Sequence, residues 1–107
     1  MSDNAGVASD ELLAAAHALE RLAAASTGGE WRLTGLLATR PEVITHHDDG
    51  TTEHIAEART RSARWIAALS PQLAAPLAEW LRSAARQERV DPAAVEVARV
   101  LRRRIPS

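Results

Sequence analysis

Asp49-Gly50 lies between two short alternating segments, residues 42–47 and 52–57, and no other feature constrains the fold as tightly. Glycine accepts the positive φ that a tight turn demands, so Asp-Gly flanked by alternating apolar residues predicts a β-hairpin. With Asp49 and Gly50 as the central turn residues, His47 pairs with Thr52, His46 with Glu53, Thr45 with His54 and Ile44 with Ile55. Ile44, Ile55, His46 and Glu53 then share one face, and Val43, Thr45, His47, His54 and Ala56 take the other.

The flanking segments complete an α-β-β-β-α-α-α string. Residues 1–8 lack periodicity and are expected to form a disordered tail. Ser9 is placed to cap a helix over residues 10–25, with Leu12, Ala16, Leu19, Leu22 and Ala23 on its apolar stripe. Ser26-Thr27-Gly28-Gly29 stops that helix, since a glycine supplies the left-handed conformation at a helix end. A strand is expected over residues 30–38, with Trp31 and Leu33 facing the core and Gly35 marking a bulge or break.

After the hairpin, Ser62 can cap a helix running to Leu69, and Trp65, Ile66 and Leu69 are its large apolar side chains. Ser70-Pro71 opens a helix over residues 71–87. Pro76 falls one turn later, where it predicts a kink or restart near Ala75. The apolar stripe expected there is Leu73, Leu77, Trp80, Leu81 and Ala84. Asp91-Pro92 repeats the cap-then-proline device and starts a last helix to about Arg104. Its seam is Ala94, Val97, Ala98, Leu101 and Ile105.

The fold class is therefore α+β: a three-stranded antiparallel meander packed against an N-terminal helix and two to three C-terminal helices, forming one domain over residues 9–105. The core is expected to contain Trp31, Leu33, Ile44, Ile55, Ile66, Leu69, Leu73, Leu77 and Leu81. Phe and Tyr are absent, so Trp31, Trp65 and Trp80 are the natural core anchors.

Composition narrows the function classes. The chain has no cysteine, which excludes disulfides, thiolate metal sites and thiol nucleophiles. No apolar run approaches a membrane span and the N-terminus is polar and acidic, so a cytoplasmic location without a membrane partner is expected. His46, His47, Asp48, Asp49 and His54 invite a metal reading, but the predicted register separates His46 from His47 and His54. No nucleophile motif or phosphate loop is present, so no catalytic residue, metal ligand or cofactor is assigned.

Charge is split along the chain. Residues 1–58 carry ten acids against three Arg (−7), and residues 59–107 carry ten Arg against four acids (+6). Opposite halves can attract within the fold or across a dimer. The leading expectation is a small non-enzymatic protein that binds a protein partner or itself. The alternative is nucleic-acid binding by the last helix, through Arg99, Arg102, Arg103 and Arg104.

Thr27-Gly28-Gly29-Glu30-Trp31, Asp49-Gly50, Ile55-Ala56 and the run from Ser62 to Pro71 resemble, in order and spacing, small uncharacterised proteins of actinobacteria and their phages, including the phage Ead/Ea22-like group. The likeness spans roughly residues 12–85. Gly28 and Glu30 stand where that group has prolines, and Ser62 where it has an acid or amide. The resemblance implies a small accessory protein associated with phages or mobile elements, with no activity or catalytic residue to carry over.

Overall fold

The computed structural model describes residues 3–35 and 41–106. It is α+β, in the order α1 (Asp3–Ala24), β1 (Glu30–Thr34), β2 (Glu42–His46), β3 (Thr52–Glu57), α2 (Thr60–Ala68), a 3₁₀ turn (Pro71–Leu73), α3 (Ala74–Ala85) and α4 (Pro92–Arg104). The contacts fall into two compact units, residues 1–22 with 74–107 and residues 23–73, a division not read from the sequence.

The helical unit is built on small side chains. Leu12, Ala15 and Ala16 of α1, Ala78, Leu81 and Ala84 of α3, and Ala94 and Ala98 of α4 form its buried cluster, flanked by Ala85, Val90, Val97 and Leu101. Alanine lets helices approach closely, and the two leucines fill the remaining volume. α1 starts at Asp3, so the expected disordered tail is corrected to helix over residues 3–8. Ser9 consequently lies inside α1 instead of capping it, and its hydroxyl donates to the Ala85 carbonyl at 3.1 Å. That bond supplies a partner to a carbonyl that the end of α3 leaves without an intrahelical one. Glu20 of α1 and Arg82 of α3 form a two-point ion pair, with Nη1 donating to Oε2 at 2.9 Å.

Pro76 acts as expected. The α-helical hydrogen bonding begins at Ala74, after the 3₁₀ turn, which places Pro76 in the first turn of α3 where its missing amide costs nothing. The stripe differs from the expected one: Ala74, Ala78, Leu81 and Ala84 are buried, Leu77 is half-buried, and Leu73 and Trp80 are exposed. α4 has the predicted bounds, and Asp91 caps it by accepting from the Ala93 amide at 2.9 Å.

In the other unit the sheet order is β1-β2-β3, antiparallel throughout, and α2 packs on β1 and β2. The meander is as predicted, but its register is not. The His47 amide donates to the Thr51 carbonyl and the Gly50 amide to the His47 carbonyl, so three residues, Asp48-Asp49-Gly50, form the loop, with Gly50 at φ 87°. A type I turn followed by a left-handed glycine is the usual three-residue solution. Thr52 therefore pairs with His46, Glu53 with Thr45 and His54 with Ile44, one step away from the expected pairing. Ala56 pairs with Val43, which leaves Ile55 as the extra residue of a bulge, so Ile44 and Ile55 are not paired.

Val43 and Thr45 are the fully buried positions of β2, paired with Leu33 and Trp31 of β1. Ile44, Ile55, Trp31 and Leu33 are only half-buried. The glycine pair also divides its work. α1 ends at Ala24, ahead of the glycines, and it is Gly29, at φ 89°, that bends the chain into β1. Gly28 presents its carbonyl to the Thr45 hydroxyl at 2.6 Å. β1 stops at Thr34, before Gly35 at φ 71°, in line with a break there; the expected positions 36–38 lie outside the described residues.

Candidate interaction surface

α2 begins at Thr60 with Arg59 as a cap residue that makes no side-chain capping bond, so Ser62 does not cap it. Its inner stripe is Ala63, Ile66, Ala67 and, beyond the helix end, Ser70: two buried and two half-buried positions at three- and four-residue spacing. The outer stripe is Arg61, Arg64, Trp65, Ala68 and Leu69, all exposed. Trp65 is 69% exposed and Leu69 47% exposed, and Leu73 continues the exposed apolar run. The expectation that Trp65, Leu69 and Leu73 are buried is thus corrected. α2 turns Ala63, Ile66 and Ala67 inward as it packs on the sheet, which leaves Trp65 and Leu69, on the other side of the helix, in water.

Arg59, Arg61 and Arg64 are exposed and have no ion-pair partner among the described residues. No acid occurs between Ala58 and Leu73. Positive charge at the start of a helix opposes its macrodipole, so this cluster is uncompensated within its own element. The wheel position of Arg61, one turn before Trp65, and of Arg64, one turn before Ala68, was the available sign that this side faces water.

The histidines form separate pairs. His47 Nε2 lies 3.0 Å from Glu53 Oε1, and His54 Nδ1 lies 2.5 Å from Glu42 Oε2. The shifted register puts His46 and His54 on one face and His47 with Glu53 on the other, a correction of the expected grouping. No group of three or more metal-ligating side chains occurs among the described residues. At the hairpin tip, Asp49 Oδ1 accepts from the Thr51 amide at 2.9 Å and from its hydroxyl at 2.6 Å. These two bonds, the hydroxyl's foremost, hold the Asp49 carboxyl below its usual range.

Arg99, Arg102, Arg103 and Arg104 all lie exposed on α4, with Arg103 3.9 Å from Glu96. Ala93, Glu96, Val97, Val100 and Leu101 line an open groove of about 420 Å³ along the same helix. No helix among the described residues is long and apolar enough to cross a membrane.

No family model, curated protein or solved structure matches the chain.

Proposed function

We propose that this chain is a non-enzymatic interaction protein that binds another protein or itself. The observation that carries the reading is the outer stripe of α2, where Trp65 and Leu69 stand in water beside Arg61 and Arg64. Tryptophan and arginine dominate binding energy at protein interfaces, since each buries a large area and makes a directional contact. The likeness to phage Ead/Ea22-like proteins points to the same class, small accessory proteins of mobile elements.

The test is light scattering at low and high salt, combined with cross-linking in the native host, on wild type and on Trp65→Ala/Leu69→Ala. A partner or oligomer that the double variant loses is the expected outcome; a monomer without any cross-linked partner would refute the reading.

A second reading, nucleic-acid binding, draws on the exposure of Arg99, Arg102, Arg103 and Arg104 on two adjoining turns of α4. Duplex affinity would then fall with salt at a slope of about 0.9 per neutralised phosphate, and replacing all four by Ala would abolish a gel shift. No shift at low salt, or one that the quadruple variant retains, removes this reading.

A further inference from the structure

Resting on the interaction reading, we infer that the outer stripe of α2 docks an acidic amphipathic segment of a partner protein, its carboxylates on Arg59, Arg61 and Arg64 and its apolar side chains on Trp65, Ala68 and Leu69. Charge decides the class of occupant. Arg59 stands just before α2, Arg61 in its first turn and Arg64 at the start of its second; none has an ion-pair partner among the described residues, and Arg59 and Arg61 oppose the helix dipole. Carboxylates arriving there neutralise charge that the free protein leaves uncompensated, and they do so next to an indole that is 69% exposed. Arg61 and Arg64 stand at the N-terminal half of the stripe and Trp65, Ala68 and Leu69 at the C-terminal half, so a complementary segment carries its acids at one end and its apolar residues at the other.

A nucleic acid fits this unit poorly. Within residues 23–73 the acids Glu30, Glu42, Asp48, Asp49, Glu53 and Glu57 outnumber the five arginines, so beyond the α2 arginines this part of the chain has no excess positive charge for a long run of phosphates. A bilayer is also disfavoured. α2 has nine residues, about 13 Å of helix, and its apolar half offers two large side chains, whereas surface-bound helices present a long continuous face. About one turn of apolar contact with a charged flank matches the i, i+3, i+4 anchors of a helix laid on a short surface.

The probe is a fluorescein-labelled synthetic peptide of about four helical turns, with Glu in its first half and Leu at three- and four-residue spacing in its second. Its Gln and Lys counterparts serve as controls, and binding is read by anisotropy and by the blue shift of tryptophan emission. The acidic peptide is expected to saturate the protein, and the Gln peptide to bind about tenfold more weakly once the ion pairs are gone. Arg61→Glu/Arg64→Glu, both exposed and so compatible with an unchanged circular dichroism spectrum, is expected to lose the acidic peptide and accept the Lys peptide. Trp65→Phe is expected to abolish the emission shift.

Equal binding of the acidic and Gln peptides, or retention of the acidic peptide by the charge-reversal variant, overturns the proposal. Failure of the peptide while the chain still associates with itself through Trp65 overturns the acidic partner and leaves the interaction reading standing; failure of both removes both. Binding to vesicles of mixed phosphatidylcholine and phosphatidylserine, or to duplex DNA, with no binding to the acidic peptide also overturns it.

Discussion

Replacing Gly29 with Ala tests whether the entry to the sheet depends on a single backbone conformation. Gly29 has φ 89°, and a Cβ placed on it would lie 2.2 Å from Thr45 Oγ1, 2.9 Å from the His46 carbonyl oxygen and 3.1 Å from His47 Nδ1. The left-handed conformation costs an L-residue roughly 1–2 kcal/mol. The steric conflict adds about 1–3 kcal/mol, because Thr45 is fully buried and cannot yield freely. Moving its hydroxyl also breaks the 2.6 Å bond to the Gly28 carbonyl, a further loss of about 1 kcal/mol. Gly29→Ala should therefore cost about 3–6 kcal/mol, a large part of the stability of a small domain. Gly28→Ala is the control, since no heavy atom lies within 4 Å of its Cβ position and its φ is not positive; its cost should stay within about 0.5 kcal/mol.

Urea denaturation followed by far-ultraviolet circular dichroism and by tryptophan emission measures both variants. Thr45→Ala in the Gly29→Ala background should recover more than about 1 kcal/mol relative to additivity, because it removes the nearest clashing atom. A Gly29→Ala cost under about 1 kcal/mol, a Gly28→Ala cost equal to it, or strict additivity with Thr45→Ala would refute the reasoning.

Neighbouring positions of α3 should behave oppositely: Leu81→Ala, at a fully buried site, should cost about 2–5 kcal/mol in chemical denaturation, and Trp80→Ala, 43% exposed, far less. Asp91→Ala should lower stability by about 1 kcal/mol through loss of the α4 cap, and Asp91→Asn should restore most of it. The Arg82 guanidinium, chiefly by hydrogen bonding, holds the Glu20 carboxyl below its ordinary value of 4.5. The pair's contribution is thus present above the unfolded-state value and lost as pH falls through the lower folded-state value, so Glu20→Gln should flatten the acid limb of a stability profile below about pH 4.5. An unchanged limb would show that the pair does not couple to folding.

Local chemistry made much of the architecture legible. Asp-Gly called for a hairpin, Asp91-Pro92 marked the start of α4, and Pro76 the restart at α3, though the helix expected from Pro71 begins as a 3₁₀ turn; each signal acts through the φ or the missing amide of one or two residues. The candidate residues of α4 were equally readable, because arginines at three- and four-residue spacing near a helix end are exposed wherever the apolar seam is buried. Register and facing were decided elsewhere. Whether two or three residues form the hairpin loop depends on the turn geometry adopted around His47 and Thr51, and that one-residue difference moved His54 to the face of His46 and took Ile55 out of its pairing with Ile44. The α2 segment likewise carries apolar residues on both sides, so periodicity alone could not choose between them. The sheet chose: α2 packs on β1 and β2 with Ala63, Ile66 and Ala67 turned inward, and the helical period then leaves Trp65 and Leu69 on the side that faces water.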